Sequence, residues 1–245
     1  MNFINSIKNA IEGERRMKRK ALVVLSGGQD STTCLFLAEM MHYNVEAIHF
    51  TYGQRHSVET CYVKRFCDKR NIALKVVDVS FLKGLVSSNL LNTEGDINEP
   101  HVNNKSLPSS FVPVRNALFL TIAHGYAQEI CATDIYTGLC ETDYSGYPDC
   151  RQEFVRDLSV ALDTGYSTAI NIHTPLMYLT KAETFKIADD YSFLHEILTE
   201  TITCYNGNAT LYNEWGHGCG RCPACLLRKK GFEEYKEGLA GVYND

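Results

Sequence analysis

The chain has 245 residues, 44% of them hydrophobic, and a formal net charge of −5. That apolar content suffices for a well-buried core, in one large domain or in one domain with a small appendage. The acidic balance excludes a broad basic field of the kind that grips a nucleic-acid duplex, and no apolar run approaches the ~20 residues that span a membrane.

Residues 1–17 carry Ile4, Ile7 and Ile11 at helical spacing, followed by mixed charge. They read as an amphipathic N-terminal extension, without the apolar core or cleavage site of a signal peptide. Ten cysteines without such a signal point to free thiols in a reducing, cytoplasmic setting.

A short apolar run, residues 21–25, stops at Ser26-Gly27-Gly28-Gln29-Asp30-Ser31, and a helix is expected over 32–41. A strand, a tight loop and a helix N-terminus aim backbone N–H groups and a helix dipole at one spot, which suits an anion. Gly27 and Gly28 allow close approach to a ligand. Ser26, Ser31 and Thr32 add hydroxyls, and Asp30 adds a carboxylate for a metal or a terminal phosphate. The loop is neither a Walker loop nor Gly-x-Gly-x-x-Gly, and a plain Gly-Gly turn between strand and helix would look the same.

Further on, strands are expected over 45–50 and 72–79, with a charged-faced helix over 57–70. This alternation implies βαβ units, a parallel sheet and an α/β fold with helices on both faces. Residues 81–113 break the rhythm and are expected to form a lid or a mobile segment. Helices over 117–130, 152–163 and 181–190 then alternate with strands over 134–138 and 169–173. The α/β domain is placed at 18–199. Residues 200–245, short and rich in Gly and Cys, form a C-terminal region with a basic helix starting at Leu226.

That region holds Cys204, Cys219, Cys222 and Cys225, the last three at three-residue spacing. Four thiolates can close a tetrahedral structural Zn²⁺ site, and the metal would supply folding free energy that the sparse local apolar content cannot. An iron–sulfur cluster on the same residues is the rival, and His217 is a less favoured ligand. The other cysteines read mostly as small buried hydrophobes, with Cys150 set apart by the motif around it.

Four more segments lie at strand ends, where open α/β sheets bind ligands. They are Tyr52-Gly-Gln-Arg-His56, Phe111-Val-Pro-Val-Arg-Asn116, residues 141–151 with Asp-Tyr-Ser-Gly-Tyr-Pro-Asp-Cys, and 174–181 ending in Lys181. The Ser-Gly-Gly-Gln-Asp-Ser loop resembles that of the ATP pyrophosphatases. With these segments and the cysteines, the chain from about Lys18 to Gly231 resembles the 7-cyano-7-deazaguanine synthase family within that superfamily.

The resemblance implies an open, mostly parallel sheet of the adenine nucleotide alpha-hydrolase type. It also implies an ATP- and Mg²⁺-dependent ligase that turns 7-carboxy-7-deazaguanine and ammonia into the nitrile preQ0, a precursor of queuosine. ATP would sit on Leu25, Ser26, Gly27, Gly28, Gln29, Asp30, Ser31 and Thr32. Asp30, Arg115 and Lys181 would be catalytic. Substrate would meet Tyr52, Gln54, His56, Arg115, Asn116, Asp143, Tyr144, Tyr147 and Asp149. One Zn²⁺ would be structural, and a homodimer is implied, with no stable nucleic-acid partner and no membrane. Lys181 at a helix N-terminus opposes the dipole unless an anion stands nearby. The chain departs from the family pattern at Val114, where a small residue is expected; valine there would narrow the pocket.

Two other readings stay open at this level. One is a tRNA-modifying ATP pyrophosphatase, which the acidic balance disfavours. The other is a zinc-stapled binding module using Arg221, Arg228, Lys229 and Lys230, which leaves the phosphate loop unexplained.

Overall fold

The computed structural model describes residues 19–42, 44–54, 58–91, 96, 99–142 and 147–239. The N-terminal extension, His56, Asp143 and Tyr144 lie outside the described residues. The main sheet has five parallel strands in the order β3-β2-β1-β6-β7. These are β1 Lys20–Val24, β2 Asn44–Thr51, β3 Ala73–Asp78, β6 Asp134–Thr137 and β7 Asn171–His173. β4 Pro100–His101 and β5 Asn104–Pro108 form an antiparallel hairpin. The helices are α1 Gln29–Met41, α2 Val58–Arg70, α3 Arg115–Glu129, α4 Gln152–Tyr166, α5 Lys181–Asp190, α6 Leu194–Glu200 and α7 Pro223–Lys236. No helix among the described residues is long and apolar enough to cross a membrane.

Side chains of a strand point alternately to the two faces of its sheet, and β1 shows the result. Ala21, Val23 and Leu25 pack into a cluster with Leu35 and Phe36 of α1, Val63 and Phe66 of α2, and Phe185 of α5. Leu22 and Val24 face the opposite cluster, which holds Phe119, Ala123 and Ala127 of α3. The sheet is therefore covered on both faces, as parallel sheets require. Phe36 stacks on Phe193 at 4.3 Å between ring centres, and Phe50 stacks on Phe119 at the same distance.

The chain runs outward from β1 through β2 to β3, then crosses to β6 and β7 on the other side. The order reverses between β1 and β6, and the crevice beyond their carboxyl ends is where such sheets bind ligands. Gly138, just after β6, comes so close to α1 that a Cβ on it would lie 2.8 Å from the Ser31 amide nitrogen.

Several expectations need correction. α1 starts at Gln29, three residues early, because Gly28 takes the extended N-cap conformation and Asp30 suits the first turn. α3 starts at Arg115 and α7 at Pro223, a residue preorganised for a first helical turn. Residues 81–113 are not structureless: they hold a 3₁₀ turn over Ser80–Gly84 and the β4–β5 hairpin. Leu90, Leu91 and Val112 build a small core there. Packing continues across residue 200, with Ile202, Cys204, Trp215, Cys222, Cys225 and Phe232 joining the cluster that holds α1 and α5.

Candidate active site

The loop after β1 is only four residues long, Leu25 to Gly28. Its turn needs Gly27 in the left-handed region at φ +88°, where a Cβ would also meet Val63 Cγ2 at 2.9 Å. Ser31 Oγ closes the loop: it lies 2.9 Å from Ser26 Oγ, accepts from the Ser26 amide at 3.1 Å and reaches the Gly28 carbonyl at 3.2 Å. The helical ladder begins with the Thr32 amide donating to the Gly28 carbonyl, 3.2 Å. The first-turn amides ahead of Thr32 have no intrahelical partner, which is the condition for holding an anion.

A cavity of about 270 Å³ opens beside this loop. Its lining includes Leu25, Ser26, Gly28, Asp30 and Ser31 of the loop and first helical turn, Tyr52, Arg115, Asn116, Phe119 and Tyr147 from other elements, Glu59 from the start of α2, and Lys181. Gln29 is not part of this lining. It turns into the core, where its Nε2 donates to Thr184 Oγ1 at 2.7 Å. Thr32 is likewise buried outside the lining, with its amide spent in the helix.

Lys181 Nζ donates to Asp30 Oδ2 at 2.6 Å, and Asp30 Oδ1 is buried without a hydrogen-bond partner. Thr180 and Glu183 form a complete capping box at the start of α5. The anion that Lys181 calls for at a helix N-terminus is thus Asp30. An orphaned carboxylate oxygen beside a phosphate loop suits a hard divalent cation, since Mg²⁺ takes one or two carboxylates together with substrate phosphates.

Arg115 follows Val114, whose φ of +59° turns the chain into α3. The guanidinium carbon lies 5.9 Å from the Tyr52 ring centre and 5.7 Å from that of Tyr147. Burial alone would lower its pKa, but Tyr52, Tyr147 and Asp149 outweigh burial and raise it, so it is a permanent cation in an aromatic clamp. Val114 itself is 57% exposed and does not narrow the cavity. Its effect is on the backbone.

Asn116 and Asp149 brace each other. The Asn116 amide donates to Asp149 Oδ2 at 3.3 Å, the Asn116 side chain donates to the Asp149 carbonyl at 3.3 Å, and Asp149 Oδ1 has no partner. Tyr147 shares a 2.6 Å hydrogen bond with Ser110. Gln54 Oε1 accepts from the Tyr52 amide at 2.9 Å, so its acceptor is already used.

The lining residues that the motifs did not signal include Glu59, Cys140 and Tyr205. Burial pushes the Glu59 carboxyl up to about 7, against the pull of Gln54 and Arg115. Burial also raises the Tyr52 phenol to about 12 and the Cys150 thiol to about 12. Glu59 lies seven residues past Tyr52, beyond the five-residue motif that was read. Only the start of α2 brings it back to the loop.

The four sulfurs of Cys204, Cys219, Cys222 and Cys225 lie within 4.8 Å of one another. Cys219 Sγ and Cys225 Sγ are 3.9 Å apart, close to the ~3.8 Å edge of a tetrahedron with 2.3 Å metal–sulfur bonds. A cubane cluster must insert irons and sulfides between its cysteines, so this spacing suits one ion. Asn206 Nδ2 donates to Cys219 Sγ at 3.5 Å, the kind of outer contact that supports a thiolate. His217 is outside the set; its ring packs between Tyr62 and Tyr212. Cys34, Cys67, Cys140 and Cys150 are buried, whereas Cys61 and Cys131 are exposed.

Arg228 overturns the reading of a basic binding tail. It is fully buried, and it donates to the carbonyls of Trp215 and Ile197 at 2.8 and 2.7 Å and to the Thr201 and Thr203 hydroxyls at 2.9 and 2.8 Å. Burial lowers its pKa to about 10. Lys229 and Lys230 pair with Glu233 and Glu234 along α7.

Residues 20–236 match the family model of the queuosine biosynthesis protein QueC. The chain is 47% identical to a 7-cyano-7-deazaguanine synthase of Wolinella succinogenes, over 89% of this chain and 94% of the relative. It is 42% identical to one from Helicobacter pylori strain J99, over 91% of this chain and all of the relative. Among solved structures, the U34-tRNA thiolase NcsA from Methanococcus maripaludis with its [4Fe-4S] cluster aligns at 16% identity and a TM-score of 0.48, over 96% of this chain and 73% of that one.

Proposed function

This chain belongs to the QueC family of queuosine biosynthesis proteins, an ATP-using family of preQ0-forming ligases, and on that premise we propose how its cavity divides the work. The substrates are 7-carboxy-7-deazaguanine, ammonia and ATP. The observation that carries the reading is one cavity lined both by a phosphate loop and by Arg115, clamped by Tyr52 and Tyr147.

A carboxylate oxygen leaves poorly, so the acid must first be activated. Ser26, Gly28, Ser31 and the first-turn amides of α1 hold the phosphates, with Lys181 neutralising charge beside them. The substrate carboxylate attacks the α-phosphorus, and pyrophosphate leaves along the loop. Arg115 holds the substrate's charge, while Tyr52, Tyr147 and Phe119 supply faces for the flat ring. Asn116, which lines the cavity and is braced by Asp149 from outside the lining, recognises the polar edge of that ring. Ammonia displaces AMP to give the amide, and a second activation of the amide oxygen leads to the nitrile. Enclosure by aromatic walls keeps water from the activated species.

Asp30 would hold Mg²⁺, which lowers the charge barrier between nucleophile and phosphate. The four cysteines would hold one structural Zn²⁺. The same reading takes the protein as a cytoplasmic homodimer without a stable nucleic-acid partner.

The test is incubation with MgATP, ammonium and 7-carboxy-7-deazaguanine, with products followed by mass spectrometry. Nitrile together with AMP and pyrophosphate is expected. A metal-loaded, ATP-binding protein that turns over none of the acid would overturn the substrate assignment and make unmodified tRNA the next substrate.

A further inference from the structure

Glu59 is the second residue of α2. Its carbonyl oxygen stands 3.3 Å from where a Cβ on Gly27 would be, so this turn is seated directly on the phosphate loop. Its side chain is in the field of Arg115 and Gln54. Glu59 therefore adjoins both the leaving-group side and the substrate side of the cavity.

Three other lining groups able to take a proton already make hydrogen bonds. Asp30 is held by Lys181 at 2.6 Å. His49 uses both ring nitrogens, on the Leu25 carbonyl at 2.8 Å and on Thr60 Oγ1 at 2.9 Å. Cys140 Sγ donates to the Leu179 carbonyl at 3.2 Å.

We propose that Glu59 is the general base of nitrile formation, removing the nitrogen proton of the activated amide. This rests on the function proposed above. Attack of the amide oxygen on the α-phosphorus expels pyrophosphate and leaves an O-adenylated iminium with two N–H bonds; its first, acidic proton passes to water, giving an O-adenylated imidate with a single N–H. Glu59 takes that proton. The N–H electron pair becomes the second carbon–nitrogen π bond. The C–O bond breaks, and its pair leaves with AMP. The products are nitrile, AMP and a protonated Glu59, so no external oxidant or reductant is required. A carboxyl poised near neutrality suits this role, because a base works best when its pKa is close to the working pH.

The experiment supplies wild type, Glu59→Gln and Glu59→Asp with the acid or directly with the amide, plus MgATP. It measures acid-dependent ATP–pyrophosphate exchange and the amide-to-nitrile rate. In Glu59→Gln the nitrile step is expected to fall about 100-fold further than the exchange, so that amide accumulates. Glu59→Asp should recover part of that loss. Nitrile formation by Glu59→Gln that falls no further than its exchange overturns the proposal. So does loss of exchange at an unchanged Tm, which would make Glu59 a binding group. If Glu59→Gln does not fold, an unchanged nitrile step in Glu59→Asp overturns it. A wild type that makes no nitrile instead overturns the proposed function.

Discussion

At the phosphate loop, position comes from burial and backbone. Ala21, Leu22 and Val23 are fully buried in a strand paired on both sides, and the loop hangs from the end of it. At the cysteine region regular backbone pairing is confined to the two-residue strands Tyr212–Asn213 and Gly216–His217, and side chains supply the ties: four sulfurs and one buried arginine. The two regions nevertheless share the walls of one cavity, since Thr203, Tyr205, Ala224 and Leu227 line it together with Ser26 and Gly28. A joint between them is the Ile202 amide donating to the Gly27 carbonyl at 2.9 Å. The comparison teaches that the sheet is held by backbone pairing and the cysteine region by side chains, whereas the cavity is lined by both.

The strongest way to break that asymmetry is to strip the zinc proposed for the four cysteines. A structural zinc is worth on the order of 10 kcal/mol to a small domain. Chelation, or Cys219→Ser, is expected to abolish hydrogen-exchange protection over residues 201–236 while leaving β1 and β2 protected. ATP affinity should fall about tenfold, the equivalent of one lost hydrogen bond at Gly27. Loss of protection in β1 at the same metal concentration would show that the two regions unfold as one.

Next in size is the Lys181–Asp30 pair, whose lysine is buried and whose carboxylate is 23% exposed. Lys181→Met leaves a half-buried carboxylate uncompensated and should cost up to about 3 kcal/mol in urea unfolding, the low end for breaking a buried pair, together with activity. Adding Asp30→Asn should restore most of the stability and none of the turnover. A double variant with activity would remove both residues from the mechanism.

These tests also show which parts were legible in the sequence. The phosphate loop could be read because strand, glycines and small polar residues are contiguous, and the sulfur cluster because three cysteines recur every three residues. Arg228 was misread because a cation next to Lys229 and Lys230 looks like a surface residue. Only the fold brings the carbonyls of Ile197 and Trp215 and the two threonine hydroxyls around it. Glu59 and Tyr205 went unseen for the same reason: their neighbours in the cavity are distant in sequence. The β4–β5 hairpin was missed because neither strand alternates apolar and polar residues.

A smaller effect is expected at Gly231 of α7. A Cβ there would lie 2.2 Å from Lys181 Cβ. Gly231→Ala must push α7 away from α5, at a cost of about 1–3 kcal/mol. Because Lys181 is the residue displaced, the KM for ATP should rise while the metal stays bound. An unchanged KM would mean that α5 and α7 separate without moving Lys181.

The smallest expected effect lies on the sheet side. Val114 holds a left-handed conformation at φ +59° ahead of Arg115, and a β-branched residue there carries about 1–2 kcal/mol of strain. With its side chain 57% exposed, little burial repays that strain. Val114→Gly removes it but frees the unfolded chain, which returns about 0.5–1 kcal/mol of the gain. The net expectation is a stabilisation of about 0.5–1 kcal/mol, or a rise in Tm of ~1–4 °C for a chain of this size. Arg115 keeps its clamp between Tyr52 and Tyr147, so the KM for the acid should not move. A lower Tm would mean that Val114 makes a favourable contact outweighing its backbone strain.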